Sequence, residues 1–257
     1  MELAQYLAWS RTWEALARQS PLRQRDVQLR LIEFFQILCR KIEPTIVLEI
    51  GAHEATFSRW AAESFPSARV MAFEANPYVH ERYAAELAGS RVDYRNLAVG
   101  AVTGDVQLNL PTAVAGRKRE LASRMASLSA HTQSEGNVQV TVPSTRLEDQ
   151  LTLAPSDKGV AWIDVEGANE VVLHGSDALL HRVQAIFIEV EKRITWEGQW
   201  LDTDVNGFLR ARGLVPVARD IFVKSRAHQY NVVFVRASLA QRRRTARLAA
   251  RVLATNP

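Results

Sequence analysis

The chain has little cysteine, no long apolar run, and few glycines where nucleotide-binding turns normally place them. Its single cysteine, Cys39 in 257 residues, rules out an internal disulfide. Stability must therefore come from a packed core, and the expected compartment is a reducing one, the cytoplasm. Cys39 lies in the apolar helical pattern LIEFFQILCR, which predicts a buried thiol rather than a nucleophile. No stretch approaches the roughly 20 apolar residues of a membrane span. A secretory leader is not expected, because Glu2, Arg11, Glu14 and Arg18 interrupt the N-terminus. No pair of histidines has metal-ligand spacing.

Acid is missing from the tail. Residues 239–257 hold Arg242, Arg243, Arg244, Arg247 and Arg251 and no Asp or Glu. Without those five of its 32 basic residues, the chain carries 27 against 28 acidic ones, so the body is nearly neutral. A basic amphipathic tail could touch an anionic lipid surface or nucleic acid. A solvated terminal helix is the plainer expectation, and a nucleic-acid partner is not expected.

What is present suits one large α/β domain with appendages: 47% hydrophobic and 23% charged residues, enough for a core. Residues 1–43 are expected to form a helical extension, with Trp9, Trp13, Leu16 and Ala17 at helical spacing and a second run over 27–38. The two tryptophans suit burial; a cap over the site or a homodimer face is the alternative. Residues 44–237 are expected to form the catalytic domain, with strands over 45–50, 69–74, 92–99, 159–164 and 185–189 and helices over 56–65, 77–87 and 201–212. A further helical stretch runs to Leu180. This alternation predicts a mostly parallel sheet with helices on both faces. Strands over 214–219 and 231–236 are joined by a link too short for a crossover helix, so they should be an antiparallel terminal hairpin. Two extra strands, 105–110 and 138–142, bracket a loop over 111–137 that carries Arg117, Lys118 and Arg119 and is expected to be either a lid, whose basic residues would suit an anionic acceptor, or disordered. Residues 238–257 form the basic tail.

The segment 46–58, IVLEIGAHEATFS, holds the strongest local signal: an apolar strand, an acid, a glycine and a helix start. Glu74 closes the next strand 23 positions after Gly51, where a ribose diol is gripped in nucleotide-binding folds. A dinucleotide pyrophosphate needs several glycines to approach the backbone, and here Gly51 stands alone. A cofactor without phosphates fits better, and S-adenosylmethionine is one. Glu74 could instead cap the following helix.

The strings LEIGAHEATFS, VMAFEANP, YRNLAVGAVTGDVQL, RLEDQL, AWIDVEGANEVVLHGSDALL and IFIEVE resemble successive blocks of the FkbM-type S-adenosylmethionine-dependent methyltransferases. The resemblance covers about 47–235, and IDVEGAN followed by VLHG is its most specific block. It implies a class I methyltransferase fold with a mostly parallel seven-stranded sheet and O-methylation of a sugar or natural-product hydroxyl. The chain departs from the family at His53, Ala55 and Asn169. On these grounds Glu49, Gly51, Ala52, His53, Phe57, Ser58, Glu74, Ala75, Asn96 and Asp164 are the cofactor-binding candidates.

Methyl transfer to an alcohol needs in-line positioning and removal of the hydroxyl proton, by a base or through a metal. Asp164 ends the fourth core strand at the carboxyl edge of the sheet, with Glu166 beside it, and Glu189 ends the next strand. Neighbouring strands lie about 4.8 Å apart, so Asp164 and Glu189 could converge. Asp164 could be the base; Asp164 and Glu189 could hold Mg²⁺ through hard oxygen ligands; or these acids could cap the next helix and pair with Arg182 or Arg193. His53 and His228 are alternative bases near neutral pH. TWEGQW, 195–200, offers Trp196 and Trp200 either for stacking on a sugar ring or for closing the core. The leading expectation is an O-methyltransferase acting on a saccharide or glycosylated metabolite. A ribose O-methyltransferase for RNA and an inactive binding subunit are the alternatives; base N-methylation is disfavoured because an Asn/Asp-Pro-Pro-aromatic turn is missing.

Overall fold

The computed structural model describes residues 24–220 and 229–240. Trp9, Trp13, His228 and the arginines at 242–251 lie outside the described residues. In chain order the elements are α1 (Gln24–Ile42), β1 (Ile46–Ile50), α2 (Thr56–Ser64), β2 (Arg69–Glu74), α3 (Pro77–Leu87), β3 (Val92–Asn96), β4 (Ala98–Val99), β5 (Gly104–Val114), β6 (Arg117–Lys118) and β7 (Ser134–Thr145). They continue with β8 (Gly159–Ile163), α4 (Asn169–His174), α5 (Asp177–Leu180), β9 (Val183–Glu191), α6 (Asp202–Ala211), β10 (Leu214–Arg219), β11 (Gln229–Arg236) and α7 (Ala237–Ala240). The chain folds as two compact units, one of residues 44–183 and 194–200, the other holding residues 24–43, 184–193, 201–220 and 229–240.

The first unit contains the expected parallel sheet. β1 runs parallel to β8 on one side and to β2 on the other, and β2 runs parallel to β3. β1 is buried along its whole length, as befits a strand covered on both faces. Its IVLEI sequence therefore shows a continuous apolar run rather than alternation, broken only by Glu49. α3 starts where Asn76 accepts the Tyr78 N–H at 3.1 Å with Pro77 at the first helical position.

The 111–137 segment is not a free loop. β5 and β7 extend well past the expected strands and pair antiparallel from Gly104↔Ser144 to Val114↔Ser134, forming a second sheet in the order β4-β7-β5-β6. The register sets Val106 opposite Val142, Leu108 opposite Val140 and Leu110 opposite Val138. One apolar face results, and its buried centre is Ala98, Leu108, Leu110 and Val142. The ladder shifts register between Pro111 and Ala113, where proline lacks an N–H for regular pairing.

In the second unit β11 pairs antiparallel with β10 and, on its other edge, with β9. The terminal hairpin is as expected, although its second strand is interior and β10 is the outer one. Phe35 of α1 packs on Phe187 of β9 with ring centroids 5.6 Å apart. Tyr230 donates from its hydroxyl to Asp202 Oδ2 at 2.6 Å, and the buried Arg219 guanidinium lies 3.8 Å from the Tyr230 ring centre. Apart from the small sheet, the first unit supplies β8, β1, β2 and β3 and the second supplies β9, β11 and β10, the expected seven strands, with β11 antiparallel to both of its partners. Among the described residues, no helix is long and apolar enough to cross a membrane.

Leu108, 1% exposed, anchors the small sheet. Leu108→Ala should destabilise the protein by about 2–5 kcal/mol through a buried cavity, measured by urea unfolding.

Candidate active site

The site is built at the carboxyl ends of β8, β1 and β2, all within the first unit. Gly51 and Ala52 leave β1 with both N–H groups donating to the Phe73 carbonyl at 3.0 and 2.9 Å. Gly51 adopts φ +77°, and a methyl group there would stand 1.8 Å from the Asp164 carbonyl oxygen. Only glycine permits this approach. His53 and Ala55 follow with φ 46° and 55°, the left-handed region, where any residue other than glycine is strained. The strain is held by tertiary bonds: the His53 N–H donates to Glu74 Oε2 at 2.7 Å, and the Tyr94 hydroxyl donates to the His53 carbonyl at 2.5 Å.

Three carboxylates meet around this turn. Glu49 is buried and accepts the Phe57 and Ser58 N–H groups at 3.3 and 2.7 Å. It thus satisfies the first turn of α2, whose own N-cap residue Ala55 has no side chain able to do so. Glu74 is also buried, and its second oxygen accepts the Asn76 N–H at 2.8 Å. The cap of α3 falls to Asn76, so Glu74 is not needed for it. Asp164 follows β8, with its N–H donating to the Ile50 carbonyl at 2.9 Å. Its carboxylate is half-buried, and among the described residues no donor hydrogen-bonds to it. A Glu166 carboxylate oxygen lies within 4.8 Å of one of Asp164.

Burial pushes Glu49 up to about 7 and Glu74 up to about 7, with the N–H donors of each pulling the other way and Asp164 adding to both rises. Asp164 is raised by burial and held back by the Arg124 guanidinium. His53 is lowered by burial and next by Arg124, against Glu54, so its ring is neutral at pH 7. The Nδ1 of His53 is buried without a hydrogen-bond partner among the described residues.

The remaining candidates fall into place around these groups. Phe57 packs between Trp60 and Trp162 at 5.6 and 5.3 Å, as core. Asn96 donates to the carbonyls of Glu74 and Ala75 at 2.8 and 3.2 Å, fixing the exit of β2. Trp196 is wholly buried, edge-on to His131 at 4.8 Å, and a methyl on Gly167 would stand 2.4 Å from its ring. It closes the core, so its expected alternative as a sugar platform does not hold. Trp200 is half-buried against His174. Glu189 lies in β9 of the other unit, in register with Asn231.

Within the 111–137 segment expected to be a lid, residues 121–127 form a strap whose anchors the sequence did not mark. Leu121 is held at the exit of β2, its carbonyl accepting from Asn76 Nδ2 at 2.7 Å. Ser127 is held at the exit of β8, its hydroxyl donating to the Glu166 carbonyl at 2.6 Å. Ser127 also exchanges two backbone bonds with Asn109 at 2.8 and 3.0 Å. Between these anchors the strap crosses the exit of β1, and Arg124 at its middle pairs with Glu54 at 3.3 Å. The sequence signals for the strap are weak: an Asn before a proline, and a serine-rich run.

The family described as Methyltransferase FkbM domain matches residues 49–215. Among solved structures, an FkbM methyltransferase from Methylobacillus flagellatus is similar over 74% of this chain and 44% of its own, at 12% identity and a TM-score of 0.46. The chain therefore spans under half the length of that protein. A magnesium protoporphyrin IX methyltransferase from Synechocystis with bound SAM is similar over 82% of this chain and 79% of its own, at 9% identity and a TM-score of 0.45. A putative tRNA methyltransferase from Streptococcus pneumoniae, in complex with S-adenosyl-L-methionine, is similar over 75% of this chain and 66% of its own, at 12% identity and a TM-score of 0.42. No curated protein sequence matches the chain.

The raised carboxylates set a pH dependence. An unfolded chain releases these protons at ordinary carboxylate pH, whereas the fold retains them to about 7 for Glu49 and Glu74. Their contribution to stability is thus full below the unfolded value, about pH 4.5, and is lost as pH rises toward about 7. The urea midpoint of the ligand-free protein should fall across that window, and Glu74→Gln, which has no such proton to lose, should show a shallower fall.

Proposed function

This chain belongs to the FkbM methyltransferase family, and from that premise we propose that it transfers a methyl group from S-adenosylmethionine to a hydroxyl of a saccharide or a glycosylated natural product. The observation that carries the proposal is Asp164: a half-buried carboxyl at the Gly51 turn, raised by burial, with no hydrogen-bond donor engaging it among the described residues. Such a group has free acceptor capacity and is tuned toward neutral pH, as a general base requires.

The residues at the turn fit the cofactor. Gly51 lets the Asp164 backbone close against the turn, and the absence of further glycines disfavours a pyrophosphate. Each Glu74 oxygen holds one N–H donor, and a carboxylate oxygen can accept more than one, so a ribose diol can still bind there. The unpartnered His53 Nδ1 supplies a further polar contact. Bound there, S-adenosylmethionine supplies the electrophilic methyl group. Glu74 would orient the ribose, the Gly51–His53 backbone would set the depth of the site, and Asp164 would take the acceptor hydroxyl proton as the methyl passes from sulfur to oxygen and S-adenosylhomocysteine is left. The saccharide or natural-product acceptor is the one that family membership suggests. The Mg²⁺ expectation, which draws one carboxylate from each unit, forms no part of the proposal.

Calorimetry with S-adenosylhomocysteine should show binding by the wild type, weakened about tenfold or more in Glu74→Ala by loss of charge-assisted hydrogen bonds. With a panel of sugars and mass detection, Asp164→Asn should lower transfer by about a hundredfold or more while S-adenosylhomocysteine still binds. A wild type that does not bind the cofactor product, or an Asp164→Asn enzyme with undiminished transfer, overturns the respective assignment.

A further inference from the structure

We propose that Arg124 and Arg82 form an anion-recognition site beside the Gly51–His53 turn, and that the acceptor therefore carries a phosphate or carboxylate near the hydroxyl to be methylated. This rests on the methyltransferase reading of the same pocket. Arg124 sits at the middle of the strap, three residues from each of its anchors at Leu121 and Ser127. The strap thus places one guanidinium over the exit of β1 and not elsewhere on the surface. Arg82, from α3, borders the same opening: it lies 3.6 Å from Glu120, the residue that leads into the strap. Both guanidiniums act on the His53 ring, which locates them at one rim.

The two cations are poorly occupied by the protein itself. Arg124 faces Glu54 at 3.3 Å and Arg82 faces Glu120 at 3.6 Å, with the arginine side chains 70% and 49% exposed. Exposed pairs of this kind contribute about 0–1 kcal/mol, so an incoming anion can displace the glutamates at little cost. Guanidinium also matches phosphate and carboxylate oxygens in a two-pronged geometry that lysine lacks. The carboxylates deeper in the site, Glu49 and Glu74, are buried and repel anions. A negatively charged acceptor is therefore steered to the rim and kept from the ribose site. Its hydroxyl is presented to Asp164 while its charge remains on Arg124. The chemistry that suits this arrangement is a sugar phosphate or a sugar acid.

The protein complexed with S-adenosylhomocysteine is titrated with glucose 6-phosphate, glucuronate and glucose. At least one charged probe should bind about tenfold more tightly than glucose, and the preference should shrink as salt is raised, as expected for exposed charges. The phosphate and carboxylate arms identify which anion is preferred. Arg124→Ala should lower the charged probe's affinity about fivefold or more and the Arg124→Ala/Arg82→Ala pair should abolish the preference. S-adenosylhomocysteine affinity, read in the same variants, should stay within about twofold and shows that they fold. Equal binding of charged and neutral probes overturns the proposal, as does a preference that survives in the double variant. Weakened S-adenosylhomocysteine binding in Arg124→Ala, with 5′-methylthioadenosine unaffected, also overturns it by assigning the guanidinium to the cofactor's carboxylate. If the wild type fails to bind S-adenosylhomocysteine but still prefers the charged probes, the methyltransferase reading fails and the anion site stands.

Discussion

The contact between Gly51 and the backbone of Asp164 is the constraint on which the rest of the site depends. β1 and β8 run in parallel register up to Ile50↔Ile163, and the two chains must part at their next residues. They part with Gly51 so close that the Asp164 carbonyl oxygen occupies the place of a side chain. That approach keeps Asp164 beside the turn and sends the chain into the left-handed conformations of His53 and Ala55. Two glutamates then repair the consequences. Glu49 caps the helix that Ala55 cannot cap, and Glu74 holds the His53 N–H. The turn, the helix start and Glu74 are thus one mechanical assembly.

The same assembly concentrates negative charge. Burial raises the proton affinity of all three carboxylates, and the nearby Asp164 raises that of Glu49 and Glu74 further, so the ligand-free site is electrostatically unfavourable at neutral pH. A sulfonium-bearing cofactor is well matched to such a place, because its positive charge relieves the repulsion. The strap supplies a partial counterweight. It is tied down at both ends by buried polar groups, Asn76 and Ser127, so that Arg124 acts on Asp164 without being buried itself. The second sheet has a structural purpose in this light: it carries the strap's Ser127 through Asn109, and so links its own apolar face to the exit of β8.

Much of this was readable along the chain because it depends on neighbours in sequence. Alternating apolar strands and amphipathic helices indicated a parallel sheet, and the short link before β11 required an antiparallel return. Gly51 and Glu74 declared themselves by type and spacing. The sequence left Glu74 as a possible cap of the following helix, and that role passed to Asn76 only once Asn76 was seen to accept from Tyr78. The small sheet was not readable at its full length. Its outer face is polar, Pro111 interrupts the ladder, and its pairing joins residues about thirty positions apart, as in Leu108↔Val140. Local composition could not distinguish that ladder from a solvated loop.

The amino-acid order was sufficient for the parallel strands of the first unit, for the position of the Gly51 turn and for the acids at its edge, because strand periodicity, glycine's freedom and the placement of an acid at a strand end are local properties. It left open which acid caps a helix, which is free, and which tryptophan is buried. Those outcomes came from packing between distant segments. Trp196 is lost to the core because Gly167 and His131 close over it, Glu49 is engaged because Ala55 has no capping side chain, and Arg124 reaches the mouth because Asn76 and Ser127 hold the strap from opposite ends. Each depends on a contact whose partner is far away in the chain, which only folding brings within hydrogen-bond reach.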